Sequence, residues 1–326
     1  MKRGSILLIA LWSLFLLSCF AVILGTEVRS KIELVRRVDD RDTLRSLCDA
    51  GVRTAVEAVK GEEVRLYEVL SDPWANDPFR FGRITLGDNT VSIQHAGETG
   101  RPVYGLVDEE SKININEAPP QVIERLLRVC GLEEGPAQEL AYSIVDWRDA
   151  DSFLSVPLGS AEDSYYRSQE VPYGCKNAPF DLPDEVLLVK GMDENVFQKI
   201  GRYITIYGDG KVNLNTAEKP VLIALGLSAE TADLLIDYRN GKDGIPGTGD
   251  DGVLTSSALT SALSAVYRLS DAEMTELSAV ENGGMAAVRS RFFTVTAVAS
   301  MRGGRSTRTV TAVVDTKENI LYWSER

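Results

Sequence analysis

No charged side chain occurs from Gly4 to Thr26, a run preceded by Lys2 and Arg3 and closed by Glu27. At about 1.5 Å per residue, roughly 20 helical residues cross the hydrocarbon layer of a bilayer. Basic residues ahead of the run predict a cytoplasmic N-terminus, with the rest of the chain on the other side. From Thr26 to Leu70 charges are frequent. Within that stretch Leu44, Leu47, Cys48, Gly51, Val52, Ala55 and Val59 recur at spacings of three and four. This period predicts an amphipathic helix with one apolar stripe. No proline occurs before Pro73, so residues 1–70 read as one long helix, half in lipid and half on a globular part.

The pattern changes at Ser71–Asp77 (SDPWAND), a breaker segment. Strand-like runs follow at Phe81–Leu86, Val91–Gln94 and Pro102–Val107. Two more, Phe292–Ser300 and Arg305–Asp315, flank the turn signal Gly303-Gly304, and a last run covers Ile320–Trp323. The stretch between, residues 108–288, reads as helices and loops. The expected class is α+β: a long N-terminal helix packed on an antiparallel sheet, with a large inserted α-helical domain. The expected boundaries are 1–4 for a leader, 5–25 for a transmembrane helix, 26–107 and 289–326 for the sheet domain, and 108–288 for the insert.

The insert contains a duplication. Residues 112–118 read KININEA and residues 211–217 read KVNLNTA, each followed by an apolar helical pattern (Val122, Ile123, Leu126; Val221, Leu222, Leu225). Each copy closes on a similar phrase, Ile144-Val145-Asp146-Trp147-Arg148 and Leu235-Ile236-Asp237-Tyr238-Arg239. Two copies are too few for a solenoid but suggest two related helical subdomains. Asn116 and Thr216 are expected to cap the helices that follow.

Composition narrows the chemistry. The 35 Lys and Arg against 48 Asp and Glu give a net charge of −13, which argues against nucleic acid as a partner. A single histidine, His95, excludes histidine-rich metal chemistry, and it reads as a surface residue of a strand. No G-x-S-x-G, P-loop or Cys–His pair is visible, so the chain reads as non-enzymatic. Of four cysteines, Cys19 lies in the apolar run. Cys130 and Cys175 would bridge if the domain is exported; separate buried thiols are the other reading.

Acidic residues offer two metal candidates. The loop Asp243-Gly244-Ile245-Pro246-Gly247-Thr248-Gly249-Asp250-Asp251-Gly252 is bent by glycines and carries three carboxylates, with Asp237 one helical turn upstream. Hard oxygens on such a loop suit Ca²⁺; a solvated acidic turn is the plain alternative. Its G-x-G-x-x-G spacing fails as a dinucleotide fingerprint, since no strand precedes it and two carboxylates would face the pyrophosphate. Asp146, Asp149, Asp151, Glu162 and Asp163 form the weaker candidate.

Two resemblances follow from these phrases. The N-[IL]-N-x-A…[VI]-D-[WY]-R pattern resembles helix-hairpin-helix units, which in DNA-uptake proteins grip phosphates. Glu133 and Glu134 stand at the first hairpin, where they would repel DNA, so the unit reads as kept for its fold. A membrane-anchored DNA-binding uptake protein is nevertheless the main alternative. At the N-terminus, Leu16-Leu17-Ser18-Cys19 resembles a lipobox, but the apolar run continues past Cys19. The basic leader, Gly4 and the long apolar helix instead resemble type IV pilins and pseudopilins.

The leader, the duplicated motif, Gly159-Ser160-Ala161-Glu162-Asp163-Ser164-Tyr165-Tyr166, Asn177-Ala178-Pro179-Phe180, Asp184–Gly191, the Asp243–Thr248 loop and Tyr322-Trp323 together resemble the minor pseudopilin K family of bacterial type II secretion. The resemblance implies cleavage between Gly4 and Ser5 by prepilin peptidase, with methylation of the new terminus. It implies a single-pass inner-membrane anchor, a periplasmic globular part and calcium in the helical domain. It implies the minor pseudopilins I and J and the major pseudopilin as partners. The implied role is to cap the tip of the pseudopilus, initiate its assembly and help export folded proteins through the outer-membrane secretin. Most pilin-like chains carry Glu at the fifth mature position, where it neutralises a neighbour's terminal amine. Here that position is Ile9. A tip subunit has no neighbour above it, so an apolar residue fits there.

Overall fold

In the computed structural model the described residues are 3–60, 66–97, 100–155, 160–304 and 306–326, with side chains from Leu7 onward. The whole leader therefore lies outside the described side chains, and Gly4 and Ser5 are placed as helical backbone only. Helix α1 spans Arg3–Val59. Its large apolar residues from Leu7 to Val38 are exposed, whereas Leu44, Leu47, Cys48, Val52, Ala55, Val56 and Val59 are buried. Residues 7–43 thus project from the globular part by about 55 Å. Among the described residues α1 is the one helix long and apolar enough to cross a membrane.

The helix stops short of the expected Leu70. Residues 66–70 are not helical; the Glu68 N–H donates to the Val288 carbonyl at 2.9 Å instead. The Val69 amide donates to Asp72 Oδ2 at 2.9 Å, a local turn that competes with helix there.

The sheet is built from β1 (Ile84–Leu86), β2 (Asn89–Ile93), β3 (Val107–Asp108), β4 (Phe292–Ser300), β5 (Thr307–Asp315) and β6 (Ile320–Glu325). Its order is β1-β2-β4-β5-β6, all neighbours antiparallel, with β3 paired to the start of β4. Early and late strands therefore meet in one sheet. Strand β4 alternates strictly between buried and half-buried residues. It sets Phe293, Val295, Ala297 and Ala299 inward against α1, as a two-residue side-chain period requires. Gly51 allows the close approach: a Cβ there would lie 2.9 Å from Val91 Cγ2 and 3.3 Å from Ala297 Cβ. The expected strand Pro102–Val107 is split, with Pro102–Val103 pairing His95–Ala96 in a separate ladder. Phe81 lies in a short helical turn, Pro78–Phe81, capped by Asp77.

A second core, running from Ile113 to Val288, belongs to the insert. Its two helical hairpins are α2 (Pro120–Val129) with α3 (Glu134–Arg148), and α4 (Lys219–Leu225) with α5 (Ala229–Arg239). The leading helices α2 and α4 pack on each other. Gly131 and Gly226, at φ 96° and 121°, turn the chain after α2 and α4 in a conformation that side chains disfavour. The duplicated phrases open each hairpin through a two-residue parallel ladder. Ile113–Asn114 pairs Ile204–Thr205, and Val212–Asn213 pairs Ala286–Ala287.

Candidate functional site

The duplicated asparagines do not cap helices. Pro119 and Glu218 stand at the N-caps of α2 and α4, neither with a side-chain cap bond. Proline in the first turn of each helix removes one of the amides a cap would serve. Asn114 Oδ1 instead accepts the Asn116 N–H, and Asn213 Oδ1 accepts the Asn215 N–H. The second asparagine of each copy then pairs with a distant backbone. Asn116 takes the Phe180 amide at 2.7 Å and donates to its carbonyl at 3.1 Å; Asn215 does the same to Leu254, at 2.9 and 3.0 Å. Thr216 sends its hydroxyl to Asp108 Oδ2.

The closing arginines complete the motif. Arg148 donates to the carbonyls of Ile115 and Ala118, and Arg239 to those of Leu214 and Ala217. Burial lowers the Arg239 guanidinium to about 10. The phrases N-[IL]-N-x-A and D-[WY]-R are thus two halves of one hydrogen-bonded turn.

The aspartates inside the closing phrases differ sharply. Asp146 is fully buried, and its Oδ1 accepts the Ser155 amide at 2.9 Å. Among the described residues, its Oδ2, Asp149 Oδ1 and both oxygens of Glu162 are buried without a hydrogen-bond partner. Asp149, Asp151 and Glu162 each bring an oxygen within 4.8 Å of the others. Burial, with Asp151 and Asp146 nearby, raises the Asp149 carboxyl above its usual range; burial and Asp146 do the same for Glu162. An orphaned buried carboxylate costs about 1–3 kcal/mol or more. Several sharing one site are accommodated by a bound cation. The donor set is all hard oxygen, which fits Ca²⁺ or Mg²⁺ and not a thiophilic metal. Asp163 points elsewhere, to the Cys175 amide and to Arg167.

The Asp243–Asp251 loop is built differently. Asp250 Oδ2 accepts the Lys242 and Asp243 amides at 2.7 and 3.3 Å, and its Oδ1 accepts the Thr248 hydroxyl at 2.8 Å. Asp251 Oδ2 accepts the Gly247 amide, and Asp243 Oδ1 the Ile245 amide. These donors hold Asp250 below the usual carboxylate range, the Thr248 hydroxyl most strongly. The loop's acids therefore serve its own backbone, and among the described residues they do not form a cluster like that at Glu162. Asp237 is exposed on α5. It holds the place of Asp146 in the second copy, where the positions of Asp149 and Asp151 are taken by Asn240 and Lys242. The second copy has lost the acids that surround Asp146.

The Cys130–Cys175 bridge is not formed; both thiols are free. Cys130 ends α2, while Cys175 Sγ lies 3.7 Å from the Asp146 carbonyl. Asp146 is 12 residues into α3, about 18 Å from the turn after Cys130, far beyond the reach of a disulfide. His95 is half-buried, and burial holds its ring below its ordinary value.

Residues 103–209 match the family model described as type II secretion system (T2SS), protein K. A relative from Escherichia coli K12 is 26% identical over 229 residues, 66% of this chain and 65% of its own length. The type II secretion system protein K of Pectobacterium carotovorum is 31% identical over 141 residues, 41% of this chain and 42% of its own length. The chain therefore matches less than two thirds of either relative. A crystal structure of the GspK-GspI-GspJ complex from enterotoxigenic Escherichia coli contains a chain of the same fold. Its TM-score is 0.63 at 17% identity, covering 92% of this chain and 99% of that one. By the family match and these relatives, the chain is similar to type II secretion system protein K, over residues 103–209 in sequence and over most of its length in fold.

Proposed function

We propose that the chain is a minor pseudopilin that caps the tip of the type II secretion pseudopilus, helps initiate its assembly, and so supports export of folded proteins through the outer-membrane secretin. The observation that carries this reading is the two-part character of α1. Its apolar residues are exposed from Leu7 to Val38, and its stripe is buried on the sheet from Leu44 to Val59. A helix that leaves so much apolar surface bare suits lipid before assembly and neighbouring helices afterwards. Ile9 supplies no charge for a neighbour above, and the insert adds bulk that a packed shaft would exclude. Minor pseudopilins I and J are the proposed partners, as in the related complex. The major pseudopilin is the proposed shaft, and prepilin peptidase the enzyme that cuts between Gly4 and Ser5.

In this reading calcium is a structural ion, held by Asp149, Asp151 and Glu162 beside Asp146. It would neutralise carboxyls that otherwise repel, and fix the segment between α3 and Phe180. The Asp243–Asp251 loop with Asp237 is the lesser place for it. Exposed Glu133 and Glu134 at the first hairpin disfavour a DNA-binding role.

Mass spectrometry of the N-terminus of protein from membranes tests the reading. A chain that starts at Ser5 supports it. A diacylated Cys19, or an intact Met1, contradicts it.

A further inference from the structure

Three buried acids meet at the seam between sheet and insert, away from the metal cluster. Glu68, Asp108 and Glu110 are 4%, 3% and 4% exposed. Together they grip Ser290 and Arg291, the residues that lead into β4. The Ser290 amide donates to Glu68 Oε2 at 2.8 Å, the Ser290 hydroxyl to Asp108 Oδ2 at 2.6 Å, and the Arg291 amide to Glu110 Oε2. The insert closes the other side. Asn213 Nδ2 donates to Asp108 Oδ2 at 3.1 Å and to the Glu68 carbonyl at 3.2 Å, and Thr216 Oγ1 donates to Asp108 Oδ2 at 2.5 Å. The seam's polar contacts thus converge on carboxyl groups.

The charges around these acids do not balance them. Arg291 Nη2 lies 3.3 Å from Glu110 Oε1 but also 3.2 Å from Asp209 Oδ2, and its side chain is half-exposed. Arg289 and Asp72 face Glu68, and Asp108 faces both glutamates. Glu109, on the same turn, is satisfied separately by Lys112, Thr205 and Thr294. Asp108 has four donors, counting the Glu110 amide at 2.8 Å, which favour its ionised form against the burial that raises its carboxyl above the usual range. Glu68 and Glu110 then carry the excess charge.

We propose that this seam is a proton-operated clamp: with Glu68 and Glu110 protonated, the three acids coexist and the insert is held to the sheet, and with both ionised their repulsion across Asp108 loosens the Ser290–Arg291 segment. A neutral glutamic acid still accepts the same amide, so protonation removes charge without breaking the grip.

Burial raises Glu68 and Glu110 each to about 7, from an ordinary 4.5. The sign follows from linkage. Below pH 4.5 both groups are protonated folded or unfolded, and the seam is at full strength. As pH rises the unfolded chain ionises first, so the seam weakens up to about pH 7 and levels off above it.

Hydrogen-exchange mass spectrometry of the full-length chain in detergent micelles, at constant free calcium, tests the clamp. After correction for intrinsic exchange, protection of a peptide containing Ser290 and Arg291 should fall between pH 6 and pH 8 by about tenfold for each titrating group. Peptides from the centre of β4 should not change. The double variant Glu68→Gln with Glu110→Gln should lose the pH dependence. Equal protection at the two pH values, or the same fall in the double variant, would overturn the proposal. Infrared difference spectra of the unmodified chain give a check that needs no variant. Two carboxyl groups must lose protons near neutral pH, and their absence from the spectrum equally overturns it.

Discussion

Asn116 and Phe180 hold each other by two hydrogen bonds, 2.7 Å from the Phe180 amide to Oδ1 and 3.1 Å from Nδ2 to the Phe180 carbonyl. One side chain stands in for the edge of a strand. Asn116→Ala would leave both Phe180 groups unpaired and should destabilise the insert by about 2–3 kcal/mol. Urea unfolding followed by tryptophan fluorescence would read this as a lower midpoint at unchanged slope. A loss below about 0.5 kcal/mol would mean that water replaces the side chain without cost.

Arg239 should matter more than its surface counterparts. Its guanidinium is buried against the carbonyls of Leu214 and Ala217. Arg239→Met orphans both and should cost about 3 kcal/mol. Arg53 pairs with Asp49 on the exposed face of α1, and Arg53→Met should leave the thermal midpoint unchanged, since such pairs contribute little. Equal effects in the two variants would contradict the role given to the duplicated motif.

Calcium should stabilise the chain through Glu162. At a concentration one hundred times its dissociation constant, a ligand specific for the native state adds about 2.7 kcal/mol. Differential scanning calorimetry with calcium and with chelator should show the difference in the unmodified protein and in Asp250→Ala. The difference should vanish in Glu162→Gln and Asp149→Asn. The reverse pattern would move the ion to the Asp243–Asp251 loop.

Cys130 and Cys175 should react separately with an alkylating reagent after unfolding without reductant. Peptide mapping should find no Cys130–Cys175 cross-link. A linked peptide would require the end of α2 and the end of α3 to meet, contrary to the hairpin geometry.

Much of the fold was legible because its period is simple. The strand-like run Phe292–Ser300 named the strand, and the three-and-four spacing from Leu44 to Val59 named the stripe that meets it. The long apolar run named the free half of α1. What failed depended on contacts far apart in sequence. Residues 66–70 are not helical, and Glu68 is drawn to Ser290. Asn116 and Thr216 looked like caps because they precede helices, yet their partners are Phe180 and Asp108. The acids of the Asp243–Asp251 loop stand close in sequence, and in the structure they accept the loop's own amides. The weaker acidic candidate already grouped Glu162 with Asp149 and Asp151, which the structure brings together, whereas Asp163 of that group turns to the Cys175 amide and Arg167.

The central claim is that this chain joins other pseudopilins through α1. Native mass spectrometry of the full-length chain, co-expressed with minor pseudopilins I and J and released from membranes in mild detergent, tests it most directly. The account predicts a complex with one copy of each subunit, lost when Val28, Ile32 and Val35 on the exposed face of α1 are changed to Asp. A chain that remains alone, or a complex indifferent to those changes, would contradict it.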